Sequence, residues 1–140
     1  MKNLIMTILM TVTVGLTKAQ TNDEHAIQKV ITEFAKAGDT YDLAKLKDVL
    51  DENYTIIMNR LFGSTTVQVI DKTTYLANIE SKKFGGDTRS VTFDSITING
   101  KTASAKVKLS GLKLEVVSII LLVQNEKGEW HLISDMPVVL

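Results

Sequence analysis

RSVTFDSITINGKTASAKVKL, residues 89–109, reads as two strands of alternating apolar and polar residues joined at Asn99-Gly100. Alternation with period two is what a sheet with one buried face produces, and Asn-Gly accepts the positive φ angles of a two-residue hairpin turn. With Asn99 and Gly100 as the turn, Ile98 faces Lys101 and the ladder continues through Ile96–Ala103, Asp94–Ala105 and Thr92–Val107, all on one face. Thr97–Thr102, Ser95–Ser104, Phe93–Lys106 and Val91–Lys108 make the wetter face. Asp94 is then expected on the apolar side, beside two alanines that leave it room.

Downstream, Leu112 to Gln124 reads as a long strand whose centre, Val116 to Val123, is almost unbroken apolar sequence. Such a strand is expected to be covered on both faces, with helices on one side and a second copy of the sheet as the cheapest cover on the other. Asn125-Glu126-Lys127-Gly128 turns the chain into a last strand, Glu129 to Asp135, and Pro137 marks its expected end. A two-residue turn at Glu126-Lys127 and a three-residue turn with Gly128 as a bulge differ by one in register; the glycine favours the bulge. Upstream of Gly86 the period is 3.6. Ala26, Ile27, Val30, Ile31, Phe34 and Ala35 predict a helix capped at Asn22 or Asp23 and stopped by Gly38. A second helix, from Asp39 or Thr40, carries Leu43, Leu46, Val49 and Leu50. Asp51 to Asn53 break the pattern, Tyr54 to Met58 and Val67 to Ile70 read as strands, and Asp71 to Lys83 as a third helix ended by Gly85-Gly86. Helices first and a meander afterwards define an α+β chain with helices on one face of a curved antiparallel sheet.

Composition bounds the function. One domain suits 140 residues, and 44% hydrophobic content is too high for disorder. The absence of cysteine excludes disulfides, thiolate metal sites and a cysteine nucleophile. Balanced charge, 16 basic against 16 acidic groups, argues against a nucleic-acid partner. Lys2, the apolar Leu4–Leu16 stretch and Thr17-Lys18-Ala19 follow the grammar of a secretory signal peptide, so residues 1–19 are expected to be removed between Ala19 and Gln20. Residues 20–140 are then a single exported domain, periplasmic or secreted, with no membrane span. Without Lys2 and Lys18 that domain keeps 14 basic and 16 acidic groups, a charge of −2.

The order helix, Gly38-Asp39, helix, Tyr54 strand, Lys72-Thr73-Thr74-Tyr75-Leu76 helix, Lys83-Phe84-Gly85-Gly86, then strands ending in Gly128-Glu129-Trp130-His131-Leu132-Ile133 resembles the nuclear transport factor 2-like superfamily. It is most similar to the secreted bacterial proteins grouped under the heading "putative lumazine-binding". The resemblance covers nearly all of residues 23–135. It implies a cone-shaped, cystatin-like fold, with three helices over a strongly bent sheet and a pocket at the open end. It also implies a range of functions, from isomerases, dehydratases and polyketide cyclases to members without known activity, so fold alone does not select among them.

For chemistry, the hairpin points to Asp94. A carboxyl group on an apolar face has its pKa raised, as a general base or a protonated donor requires; a hydrated Asp94 paired with Arg89 or a lysine is the plainer alternative. Ketosteroid isomerase-type members of the superfamily combine inward acids with a tyrosine, which makes Tyr41, Tyr54 and Tyr75 candidate partners. The aromatic set Phe34, Tyr41, Tyr54, Phe62, Tyr75, Phe93 and Trp130, with Met58, suits either a core or the lining for a flat or apolar ligand. His25 is expected in solvent. His131 is a pocket candidate; it shares a face with Asp135, but about 13 Å of strand separates them. Lys82-Lys83 near Arg89 forms a small basic patch. Two distant histidines do not make a zinc site, no phosphate or dinucleotide motif is present, and no cofactor is expected. Three functions follow: a small-molecule-binding or accessory domain, an isomerase or dehydratase with Asp94 as general acid/base, and a dimerisation module whose cone is filled by its own side chains.

Overall fold

The computed structural model describes residues 9–140, with side chains from Ala19 onward. Residues 1–8 of the expected signal peptide lie outside the described residues. The order of elements is α1 (Leu9–Thr40), α2 (Leu43–Val49), β1 (Leu50–Asn59), β2 (Val67–Asp71), α3 (Lys72–Glu80), β3 (Ser90–Asn99), β4 (Thr102–Ser110), β5 (Glu115–Gln124) and β6 (Trp130–Val139). The strands form one curved, unclosed sheet in the order β2-β1-β6-β5-β4-β3. All neighbours are antiparallel except β1 and β6. The sheet is therefore mixed rather than wholly antiparallel. β1 and β6 come from opposite ends of the domain, and the intervening strands carry the chain round so that both run the same way.

Local chemistry explains the helix boundaries. α1 continues through Asn22 and Asp23, so neither caps it; it buries Ile27, Val30, Ile31, Phe34, Ala35 and Ala37, while Ala26 stays exposed. Gly38 does not stop α1 either. The helix ends two residues later, where Tyr41 takes a positive φ of 58°. Asp42, not Asp39 or Thr40, caps α2 by accepting from the Lys45 amide at 2.9 Å. Asp71 caps α3 in the same way through the Thr74 amide.

Four features of the sheet were not expected from the alternation. The first hairpin turns at Gly100-Lys101, with Asn99 opposite Thr102 and Gly100 at φ 60°, as in a hairpin with glycine in its first turn position. β3 then bulges at Asp94, between the pairs Phe93–Val107 and Ser95–Lys106. The bulge shifts the phase, so Phe93 and Val91 turn toward the core alongside Ile96 and Ile98. β6 bulges at Ile133, between the pairs Leu122–Leu132 and Leu121–Ser134. β1 detaches from β6 over residues 51–54, where the Asp51 carboxylate accepts from the Asn53 amide. The break read at Asp51–Asn53 is thus a kink inside a strand, not a strand boundary.

β6 also outlasts Pro137. Its pairing with β1 ends at Asp135, so beyond that point only β5 is a neighbour, and a one-sided strand tolerates a residue without an amide hydrogen. The core lies between the helices and the inner face of the sheet, with Ile120, Leu122, Leu132, Val107 and Tyr54 fully buried. β5 is central, but only half of it is covered: Ile119 and Leu121, with Met136 and Val138 of β6, are exposed on the outer face of this single chain.

One buried cation ties the helical layer to the sheet. Lys72 Nζ, in the first turn of α3, donates to the carbonyls of Leu50 (2.9 Å) and Lys47 (3.3 Å), groups that the end of α2 leaves open, and to Glu52 Oε1 at 3.1 Å. The Glu52 side chain is 92% exposed, so the two carbonyls and not the ion pair carry the tie. Lys72→Met is expected to lower stability in urea by about 1–3 kcal/mol, whereas Glu52→Gln stays within about 0.5 kcal/mol of the parent. Equal effects of the two substitutions would refute that assignment.

Candidate functional site

The bulge at Ile133 decides what the last strand presents inward. Trp130 and Leu132 face the core, and the turn before them takes the bulged form that the glycine favours: Gly128 sits at φ 83°, and Asn125 and Glu129 close a three-residue loop. One residue of slip then puts Asp135 on that same inner side. The expectation that His131 and Asp135 share a face is overturned for this reason. Asp135 is buried, and Oδ1 accepts a hydrogen bond from the Ser118 hydroxyl of β5.

Above Asp135 opens a cavity of about 420 Å³. Phe34 and Gly38 of α1, Tyr75 and Ile79 of α3, Ile56 and Met58 of β1, and Val116 and Pro137 contribute to its walls, and Asp135 and Arg89 are its polar groups inside. Lys83, Phe84, Leu61, Phe62 and Leu114 stand around the mouth. Arg89 does not float. Asp39 accepts from both its amide (2.8 Å) and its Nε (2.6 Å), and Nη2 donates to the Ala35 carbonyl at 2.9 Å, so the guanidinium is fixed against the end of α1. Gly85, at φ 81°, lies so close to the Gly38 carbonyl that a Cβ would collide with it. The glycine pair does not end α3, which stops at Glu80, short of the expected Lys83, with Lys82 at a φ of 59°; it lets the α3–β3 connection close against α1.

Burial dominates the electrostatics. Desolvation pushes the Asp135 carboxyl up to about 6, against the opposing pull of the Ser118 hydroxyl and the Arg89 charge. Burial, then the neighbouring Asp135 charge, hold the Tyr54 and Tyr75 hydroxyls above the ordinary tyrosine range. The Tyr54 hydroxyl is buried with no hydrogen-bond partner among the described residues. Phe34, Tyr54, Tyr75 and Phe84 form a contiguous aromatic group, with Tyr54 and Tyr75 edge to face at 5.4 Å between ring centres. Chemically, the site offers an apolar slot ending in a carboxyl group able to donate or accept near neutral pH.

Of the residues expected at the site, the structure brings together Phe34, Met58 and Tyr75, with Phe62 at the mouth and Tyr54 packed behind Tyr75. The others lie elsewhere. Asp94 occupies the bulge of β3 on the solvent side, its side chain 43% exposed and its carboxylate 3.6 Å from Lys106, so the desolvation expected of it is absent. Tyr41 packs against Gly86 under the Lys82 ammonium. Trp130 seals the far end of the core, donating through Nε1 to Asp23 at 3.1 Å, and His131 sits on the opposite face beside the Asn125 amide. Asp135 was missed as a site residue because only a bulge, which leaves no mark in the alternation, turns it inward. Among the described residues no cluster of three metal-binding side chains occurs, and no helix is long and apolar enough to cross a membrane.

The helical layer over a bent, open sheet with a cavity beneath is the nuclear transport factor 2-like fold. Solved structures agree. A nuclear transport factor 2-like protein of unknown function from Silicibacter pomeroyi DSS-3 superposes with a TM-score of 0.75 at 12% identity, covering 86% of this chain and 98% of that one. One from Shewanella baltica OS155 gives 0.73 at 17% identity, covering 86% and 95%. A protein described as a "putative ketosteroid isomerase" from Shewanella frigidimarina NCIMB 400 gives 0.60 at 19%, covering 81% and 94%. No curated protein matches. Within this fold the chain belongs to the family described as "Putative lumazine-binding", which matches residues 22–136.

The burial of Asp135 has a thermodynamic consequence. Its folded pKa lies above the unfolded value, so the native state binds the proton more tightly, and ionisation on raising the pH from about 4 past 6 costs stability. A shift of about two units corresponds to about 3 kcal/mol. Asp135→Asn is therefore expected to gain on the parent protein by up to that amount between pH 4 and pH 8, read as the pH dependence of the difference between their melting curves. A pH-independent difference would mean that Asp135 is not desolvated.

Proposed function

We propose that the mature chain is an exported small-molecule-binding domain whose ligand is flat or apolar in body and carries a hydrogen-bonding group directed at Asp135. The observation that carries this reading is the cavity itself. A slot of about 420 Å³, walled mostly by apolar side chains and floored by one buried carboxyl group, has the size and chemistry of a ligand pocket. It counts against a cone filled by its own side chains. Export rests on the leader grammar of residues 1–19, and pairing of two copies on the exposed outer face around Ile119, Leu121, Met136 and Val138.

One observation favours a catalytic reading beside it. A carboxyl group with a pKa of about 6 is present in both protonation states near neutrality, which suits proton transfer on a bound substrate, as in an isomerase or dehydratase. In that reading the acid/base group is Asp135 rather than Asp94.

Native mass spectrometry of residues 20–140, purified gently after export, tests the binding reading. A dimer with a discrete extra mass is expected. Val116→Trp, which places a large ring in the slot, is expected to remove the extra mass while keeping the fold by circular dichroism. Persistence of the mass in Val116→Trp would move the ligand away from this cavity, and a bare protein at every loading would remove the reading.

A further inference from the structure

The rim of the cavity combines two features that the interior does not need. Its loop tips carry large apolar side chains pointing away from the core: Phe62, in the β1–β2 loop, is 70% exposed, and Leu112, in the β4–β5 loop, is 89% exposed. Both loops border the mouth, through Leu61 and Phe62 on one side and Leu114 on the other. Neither residue is loosely attached. Phe62 sits at a φ of 53°, followed by Gly63 at 82°, in a tight turn. Leu112 is held by its amide on the Asp87 carboxylate at 2.9 Å, and the amides of Lys113 and Leu114 share the same carboxylate. Two projecting hydrophobes on rigid supports are costly to leave in water.

The same rim is cationic. Arg60, Lys82, Lys83 and Lys113 stand on these loops and on the adjoining α3–β3 connection, and among the described residues none is neutralised by a carboxylate. Arg60 donates to the Asn59 amide oxygen, Lys82 lies 5.4 Å from the Tyr41 ring centre, and Lys113 donates to the Gly86 carbonyl at 2.7 Å. Of the nearby acids, Asp87 is taken up by backbone amides and Glu115 by Lys108 at 2.6 Å, while Glu80, two residues before Lys82, makes no ion pair with these cations. The domain as a whole leans acidic, so four unpaired cations at one end are a local asymmetry, not a reflection of composition.

We infer that this rim docks the mouth of the cavity on an anionic lipid surface, with Phe62 and Leu112 entering the interface and the four cations resting on the headgroups. The charge favours lipid over a second copy of the chain, whose identical rim would repel it. Apolar tips within a basic surround are the arrangement by which peripheral domains hold an anionic membrane, the cations adding attraction that salt weakens. A mouth so seated lets an apolar molecule pass between bilayer and cavity without crossing water. That consequence rests on the binding reading above; the docking does not.

Co-sedimentation of residues 20–140 with vesicles tests the docking separately from ligand binding. The protein is expected to pellet with vesicles of phosphatidylethanolamine and phosphatidylglycerol, less so at high salt, and to stay in solution with phosphatidylcholine alone. The double variant Phe62→Ser/Leu112→Ser is expected to lose at least roughly tenfold in vesicle affinity, with its melting temperature held because both side chains are exposed. Lys82→Glu, which reverses one rim charge and also removes the ammonium from the Tyr41 ring, is expected to weaken binding to anionic vesicles as well. Leu112→Trp is expected to add an emission component that moves to the blue on vesicles, while Trp130, at the far end of the core, does not shift. The inference is overturned if the parent protein ignores anionic vesicles at low salt, or binds neutral ones equally. It is also overturned if both the double variant and Lys82→Glu bind as the parent does, or if the rim substitutions change the oligomeric state instead.

Discussion

A single unpaired residue, Ile133, governs which groups β6 offers to the helices. Side chains alternate strictly along a strand, so each residue that drops out of the ladder exchanges the two faces from that point onward. Before the bulge, Trp130 and Leu132 close the core; after it, Asp135, Pro137 and Val139 line the cavity. Without the slip, Ser134 and Met136 would face inward, and the cavity would lose its carboxyl group. The bulge at Asp94 acts on the edge strand β3, turning Val91 and Phe93 inward and the acid outward. Both bulges also bend their strands, and a bent sheet leaves space under the helices that a flat one would fill.

That space persists because its frame is polar and tightly bonded where its walls are not. Arg89 joins the start of β3 to the end of α1 through Asp39 and the Ala35 carbonyl, and Lys72 joins α3 to the end of α2 and the start of β1. The Arg89 tie fixes the helices over the sheet beside the cavity, and the Lys72 tie does so lower down, where Leu50 pairs with Leu132. At the narrow end Trp130 and Gln124 both donate to Asp23, closing α1 onto the hairpin of β5 and β6. The apolar walls could approach further only by breaking bonds whose buried partners would then stand unsatisfied.

The elements and their order were legible in the sequence because they depend on periodicity, caps and turns, which are local. The Gly128 turn shows how far such reading reaches: the bulged form that the glycine favours is the one present, although it left open which face of β6 is the inner one. The candidate site was less legible. Phe34, Met58 and Tyr75 could be named from their aromatic or apolar character on inward stripes, but Asp94 and Asp135 exchanged roles through two one-residue slips. Nothing in SVTFDSI or WHLISDM departs from what an unbulged strand would carry, and the preference for a bulge comes from how neighbouring strands must curve. The turn of β3 was likewise displaced to Gly100-Lys101, since glycine in the first turn position is as good a solution as Asn-Gly. The two-residue change of partner left the faces of Ile96, Ile98, Ala103 and Ala105 unaltered, so that error was silent until the bulge.

The position of the carboxyl group bears on why the cavity has only one acid at its floor. Placing Asp135 there costs free energy once it ionises, and the nearest cation, Arg89, is already engaged by Asp39 and offsets the cost only in part. A purely structural core would be more stable with apolar residues in place of both Asp135 and its buried partner Ser118. The pair has a use only if something else enters the slot and exchanges hydrogen bonds with it. The unpartnered hydroxyl of Tyr54 behind Tyr75 points the same way: a second buried polar group is kept close to the floor at a cost that the fold does not recover from its own contacts.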